Sequence, residues 1–320
     1  MTQPKHRPLE LAAFFAFSGG LSLCLGFTST VQSTSLKVSD TPIFQFNWLQ
    51  AIVLGMVQGL TEFLPISSTA HLKVVPLALG WGDPGVSFTA VIQLGSITAV
   101  IWYFWSDLTN IIEGMAKAIY ISDYKSYDFQ LAAGITLGTL PIVFFGLLWK
   151  VLVSDLDNSP LRSVGAIAIA SIVMAVMLAL SEKLGTHKRD FKELTLQDGV
   201  LMGLAQTLAL IPGVSRSGST IMAGLFMNLE RATAAKFSFL LGIPAITIAG
   251  FAEFKEVLVL GFSREILFPV IIGVISSTIF SYLAIAWLTS YLQNRNTWIF
   301  VWYRLGFGVL ILASLVFNFN

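Results

Sequence analysis

The stretch Gly55-Met-Val-Gln-Gly-Leu-Thr-Glu-Phe-Leu-Pro-Ile-Ser-Ser-Thr-Ala-His71 lies among apolar runs yet carries Gln58, Glu62, Pro65 and a cluster of hydroxyls with an imidazole. A second stretch, Gly203-Leu-Ala-Gln-Thr-Leu-Ala-Leu-Ile-Pro-Gly-Val-Ser-Arg-Ser-Gly-Ser-Thr220, repeats the layout of glutamine, proline and hydroxyl cluster. Each reads as helix, break and second short helix, over 48–80 and 198–228. Irregular polar backbone at membrane depth is tolerated only where protein buries it or water meets it. Two such breaks in corresponding halves are the signature of an internal repeat built around a central site.

The rest of the chain supports a membrane setting. Of 320 residues, 55% are hydrophobic and 12% charged, against about 25% charged in soluble domains. So few charges cannot cover a soluble surface, which excludes an ordinary cytosolic enzyme. A formal net charge of +1 removes the electrostatic case for nucleic acid. The single cysteine, Cys24, excludes an intramolecular disulfide framework and a cysteine-clustered metal site. Helix-length apolar runs occur at 86–105, 130–149, 162–182, 234–252, 266–289 and 298–317, each near the roughly 20 residues that cross a hydrocarbon core. They show no period-2 alternation, which argues for helices over barrel strands. The charged stretches between them, 106–129 included, read as loops. In residues 1–47, Lys5 and Arg7 precede an apolar segment at about 9–27. That order resembles a signal peptide, but no A-x-A cleavage site follows, so the reading is an uncleaved extra helix.

Charge counting orients these pieces. With the amino terminus cytoplasmic, and each broken segment entering and leaving on one side, eleven basic residues fall on the cytoplasmic side and six opposite. The bias obeys the positive-inside rule. It places the first broken segment externally and the second on the cytoplasmic side, an inverted arrangement.

Three polar groups are costly in lipid unless paired or wet: Glu62, His71 and Arg216. Gln58 and Glu62 are four apart and share a helix face, and Pro65 ends that helix. Ser67 and Ser68 lie four and three residues before His71, so one helical turn is expected to bring a hydroxyl beside the imidazole, as a nucleophile or proton relay requires. Arg216 with Ser215, Ser217, Ser219 and Thr220 at a helix start forms an anion site, most naturally for phosphate. Each residue has a plainer role available. Hydroxyls after proline cap or pack helices, an arginine can snorkel, and Glu62 can simply neutralise Arg216. The joint set on two mirrored breaks is harder to explain structurally.

These residues match a family pattern. Gln58 to His71 resembles an [E/Q]xxxE motif with a trailing Ser-Ser-Thr-x-His, and Pro212 to Thr220 resembles PGxSRSxxT. Together they resemble the BacA/UppP-type undecaprenyl-diphosphate phosphatases over about residues 48–317, with residues 1–47 outside the pattern. The resemblance implies an all-α polytopic membrane protein with six core transmembrane helices and two re-entrant helix pairs in inverted repeats. It implies hydrolysis of undecaprenyl diphosphate to undecaprenyl phosphate and inorganic phosphate, recycling the lipid carrier of envelope synthesis. A divalent cation (Mg²⁺ or Ca²⁺), a plasma-membrane site facing the periplasm, and bacitracin resistance, bacitracin competing by binding the substrate, come with it. A homodimer is left open. Carried over by position, Glu62, Ser68, His71 and Arg216 are the catalytic residues, and Ser67, Thr69, Ser215, Ser217, Ser219 and Thr220 contact substrate. Glu62 and Gln58 are the metal-site residues; Gln58 stands where many members carry Glu. Ser68, His71 or a positioned water remain alternatives for the nucleophile. A phosphatidate-phosphatase-like enzyme is a weak rival, because it needs two catalytic histidines. A lipid flippase or transporter is the rival from another class, since inverted broken helices suit transport.

Overall fold

The computed structural model describes residues 47–152, 159–260 and 264–317; the apolar segment expected at 9–27 lies outside them. Among the described residues eleven α-helices form and no strand does, apart from one isolated bridge between Arg189 and Leu229. The first broken segment is α1 (Trp48–Phe63) and α2 (Ser68–Ala78). It is followed by α3 (Gly85–Tyr103), α4 (Trp105–Tyr120), α5 (Tyr127–Leu152) and α6 (Val164–Leu184). The second is α7 (Leu196–Gln206) and α8 (Arg216–Phe226), followed by α9 (Arg231–Leu260), α10 (Arg264–Asn294) and α11 (Trp298–Phe317). Five helices, α5, α6, α9, α10 and α11, are long and apolar enough to cross a membrane, and α3 with α4 makes a sixth span bent by 67°. The chain is an all-α polytopic membrane protein. Its outward faces agree, for Phe144, Ile169, Phe251, Ile279 and Trp302 are all exposed, an apolar shell that suits lipid and not water.

One expectation is corrected here. Residues 106–129, read as a loop, are helical over most of their length as α4. Leu108 and Ile111 pack against the core and Ala118 is buried, while Ser106, Asn110, Glu113 and Lys117 occupy other faces. That is amphipathic spacing, and the charges disguised it as a linker.

Small residues set the packing of the broken segments. A Cβ on Gly55 of α1 would fall 2.3 Å from the Gly273 carbonyl oxygen of α10, and one on Gly203 of α7 would fall 2.0 Å from that of Gly138 on α5. Only glycine permits such close backbone approach in either place. The first broken segment therefore rests on a helix of the second half, and the second broken segment on a helix of the first. The halves are interlocked rather than side by side. The same intervals separate Gly55, Gln58 and Ser67 as separate Gly203, Gln206 and Ser215, so Pro65 corresponds to Gly213, and the two prolines are not equivalent.

Both breaks have the same backbone form. Leu64, before Pro65, is extended at φ −69°, ψ 144°, as a pre-proline residue prefers. The second helices begin from Ser67 (φ 76°, ψ 101°) and Ser215 (φ 78°, ψ 119°). Neither is glycine, so each stores roughly 1–3 kcal/mol of backbone strain. Strain conserved in form at two mirrored positions points to where the chemistry sits.

Candidate active site

Glu62 ends α1 as a buried carboxylate. Its Oε2 accepts hydrogen bonds from Gln58 Nε2 at 3.1 Å, across one helical turn, and from Ser68 Oγ at 2.8 Å, across the break. Its Oε1 lies 3.7 Å from Arg216 Nη2 on α8. The Pro65 break thus returns the start of α2 onto the end of α1, and α8 supplies the cation. Gln58, Glu62, Ser68 and Arg216, predicted from sequence, are brought together.

Arg216 is enclosed on all sides. Its Nη1 donates to the Ser238 carbonyl at 3.3 Å, while Nε and Nη2 have no hydrogen-bond partner. Space for the guanidinium comes from Gly242 on α9, where a Cβ would sit 1.8 Å from Nη1. A buried guanidinium facing one carboxylate, with two donors to spare, has capacity for an anion.

His71 departs from the expected arrangement. Its Nδ1 meets the backbone carbonyl of Ser67 at 2.7 Å, and its Nε2 meets the Tyr303 hydroxyl of α11 at 2.7 Å. A carbonyl only accepts, so Nδ1 carries hydrogen and the neutral ring accepts from Tyr303 at Nε2. The ring also stacks on Phe307, centroids 4.4 Å apart. The expected serine–imidazole pair is therefore not formed, and Tyr303 supplies the hydroxyl instead. The ring leans toward the start of α2 and takes the Ser67 carbonyl, while Ser68 turns to Glu62.

The remaining hydroxyls divide by role. Ser215 Oγ accepts from Gly218 N at 3.1 Å and caps α8. Ser217 Oγ donates to the Leu64 carbonyl at 3.0 Å, joining the two breaks. Ser219 and Thr220 each donate to the Arg216 carbonyl at 2.9 Å, and Thr220 also meets Ser238 Oγ at 2.6 Å. Ser217, Ser219 and Thr220 are fully buried and hold the turn that aims Arg216. Ser67 is buried as well, whereas Thr69 is exposed and Ser68 half-buried.

A cleft of about 190 Å³ opens beside Ser68. Gln58, Ser68 and Thr69 line it from the broken segment, Thr89 and Gln93 from α3, and Lys73, Asp83 and Arg162 complete its wall. Arg216 and His71 are not among the residues that line it. Among the described residues no group of three or more His, Cys, Asp or Glu side chains gathers. The donor set is one carboxylate with amide and hydroxyl oxygens, which suits a hard cation that keeps waters and takes further oxygens from a bound phosphate.

Two residues escaped the sequence reading. Arg304 of α11 is fully buried and donates to the carbonyls of Pro65 at 3.0 Å and Gly213 at 2.8 Å, and to that of Ser171 at 3.3 Å. Pro65 and Gly213 are the equivalent positions of the two breaks, so one guanidinium satisfies both orphaned carbonyls. The signal was present as a charge inside the apolar run Trp298–Phe317. Tyr303 beside it carried none, since tyrosine is ordinary in such a helix.

The chain is similar to proteins named undecaprenyl-diphosphatase from Trichormus variabilis (63% identical over 94% of this chain and 93% of that one), from Synechocystis sp. (68% over 86% and 84%) and from Synechococcus elongatus (60% over 83% and 92%). An alignment over 94% of the chain takes in part of residues 1–47, so the extension is shared in part with the first of these. The family described as "Bacitracin resistance protein BacA" matches residues 51–310, which take in all but the first turn of the two broken segments and every site residue above, and the chain belongs to that family.

Proposed function

We propose that this protein is a membrane phosphatase that hydrolyses undecaprenyl diphosphate to undecaprenyl phosphate and inorganic phosphate. The observation that carries the reading is the Ser68 hydroxyl, half-buried on the cleft wall and donating at 2.8 Å to a carboxylate that faces a buried arginine. The naming of the relatives supplies the substrate class.

The chemistry follows phosphoryl-transfer logic, in which positioning and charge neutralisation do most of the work. Ser68 Oγ bonds to the terminal phosphorus and passes its proton to Glu62. The bond to the bridging oxygen breaks, and its electron pair leaves with undecaprenyl phosphate. Water then attacks the phosphoserine, Glu62 returns the proton to Ser68 Oγ as that oxygen leaves, and inorganic phosphate departs carrying both hydrogens of the water. Arg216, facing Glu62 from α8, offsets the charge that develops as phosphoryl transfer proceeds at Ser68. Exposure favours Ser68 as nucleophile over His71, whose nitrogens are both engaged. His71 is a positioning residue: it holds the carbonyl of Ser67, the strained residue immediately before Ser68. Glu62 with Gln58 would hold Mg²⁺ or Ca²⁺, and the cation would supply charge neutralisation at the diphosphate oxygens. The excess of basic residues on the opposite side supports a plasma-membrane enzyme whose site opens to the periplasm. Bacitracin, by sequestering the diphosphate, would compete for the same substrate.

The test is phosphate release from a C55 or C15 prenyl diphosphate by detergent-purified protein, with and without EDTA. Metal-dependent release is expected, lowered at least about 100-fold in Ser68→Ala, Glu62→Gln and Arg216→Ala, since groups acting as a unit each cost most of the rate. Folded, metal-replete protein with no release above these variants overturns the reading and favours lipid transport.

A further inference from the structure

The cleft that Ser68 lines also carries a charge cluster that the chemistry above does not use. Lys73 is on α2, one turn beyond Thr69, and both line the cleft. Its ammonium donates to Asp83 Oδ2, and Asp83 Oδ1 accepts from Gly85 N at 3.0 Å. Arg162, from the short turn Pro160–Arg162 before α6, lines the same cleft and acts on the same carboxylate through its charge. Three separate parts of the chain therefore deliver two cations and one carboxylate to one rim.

That rim borders the same cavity as Ser68. Ser68 and Lys73 face one cavity from one helix, so a phosphoryl group bound at Ser68 has its neighbour within the same 190 Å³. The ion pair that occupies the rim is half-exposed, with side-chain exposures of 20% for Lys73 and 40% for Asp83. Pairs of that kind contribute little to stability, and a phosphate brings more charge and more acceptor oxygens than a carboxylate. Gly82 and Gly85, both at positive φ, bracket Asp83 and have open space around them, so its side chain can turn away without disturbing packed neighbours. Trp81 packs against the core and keeps the loop in place meanwhile.

We propose that Lys73 and Arg162 form a second phosphate subsite at the mouth of the cleft, and that Asp83 occupies it as an internal stand-in until a phosphate displaces it. Partial burial alone would raise the Asp83 carboxyl. The Lys73 hydrogen bond, the Gly85 N–H and the charges of Lys73 and Arg162 outweigh burial and hold it below its ordinary value. The stand-in is thus ionised under working conditions. The phosphate it yields to belongs either to the lipid diphosphate or to the inorganic phosphate leaving the site. The subsite deepens the phosphatase reading and rests on it for its substrate.

The experiment compares wild type, Lys73→Met, Lys73→Arg and Asp83→Asn in the full-length purified protein, by KM and kcat for a C15 prenyl diphosphate and by inhibition and direct equilibrium binding of inorganic phosphate. Lys73→Met is expected to raise KM or weaken phosphate binding about tenfold, the scale of one charge-assisted contact, with kcat within about twofold of wild type. Lys73→Arg is expected to restore most of the loss, and Asp83→Asn to lower the same constant by removing the competitor. A change in KM alone assigns the subsite to the lipid diphosphate, and a change in phosphate inhibition alone assigns it to the departing product. Unchanged KM and unchanged phosphate binding in Lys73→Met, with wild type turning over, overturn the subsite and leave the phosphatase reading intact. Phosphate binding that depends on Lys73 in a protein that hydrolyses nothing supports the subsite and overturns the phosphatase instead.

Discussion

Arg216 shows how much a single missing side chain decides. Its guanidinium faces Glu62 only because Gly242 leaves room, and a Cβ there would lie 1.8 Å from Nη1 and 2.6 Å from Cζ. Gly242→Ala is expected to leave the fold intact, since the clashing group is the far end of a flexible side chain, but to move that end off Glu62. A misplacement of about 1 Å at a reacting group costs on the order of 100-fold, so kcat/KM is expected to fall by at least that with little change in melting temperature. Wild-type kcat/KM in this variant would show that the guanidinium position does not matter. Gln58 to Glu62 was legible at this scale because four-residue spacing on one helix fixes the meeting. Ser68 to Glu62 was not, because the contact crosses the Pro65 break and depends on how the chain turns there. The choice His71 makes between a hydroxyl and a carbonyl was likewise set by the turn, whose first carbonyl stood within reach of the ring.

At the scale of elements, close backbone contact seats both broken segments on their neighbours. Gly55 and Gly59 lie against α10, and Gly199 and Gly203 against α5. The atoms they meet include main-chain carbonyls, which cannot move aside as a side-chain tip can. Gly55→Val and Gly203→Val are each expected to lower stability by about 2 kcal/mol or more through overpacking, read as a lower melting temperature in detergent. Gly55→Val should also lose activity, because α1 carries Gln58 and Glu62. An unchanged melting temperature in Gly203→Val would break the equivalence of the two seams. The spans were legible from length and hydropathy. Helix α4 was not, because Asp107, Glu113 and Lys117 on a surface helix look in sequence like the charges of a loop.

Across the whole molecule, the clasp of Lys73, Asp83 and Arg162 closes the cleft from three places in the chain, and its pH range follows from Asp83. That carboxyl is held below its ordinary value, because burial is outweighed by the Lys73 hydrogen bond, the Gly85 N–H and the cations around it. A depressed carboxyl contributes above its ordinary value and loses the contribution as pH falls through the lowered one. Protease sensitivity of loop 79–84 is therefore expected to stay flat from pH 8 to about pH 5 and to rise only below the ordinary aspartate range. In Lys73→Met that rise should begin at higher pH, and an onset unchanged by the substitution would show that Lys73 does not hold the carboxyl. The far end of α6 has its own polar hub, where Glu182 accepts from Arg231 and from Thr297 Oγ1 at 2.8 Å, so charged networks brace the bundle at both ends. The sequence by itself determined the membrane class, the two breaks and the family, because hydropathy, proline and motif spacing act locally and survive without coordinates. Tertiary structure alone decided that each break rests on the opposite half, that Arg304 joins the two, and that Ser68 meets Glu62 rather than His71. Those outcomes depend on which backbones approach closely enough to touch and on which buried polar group finds a partner first, and neither is written in any one segment.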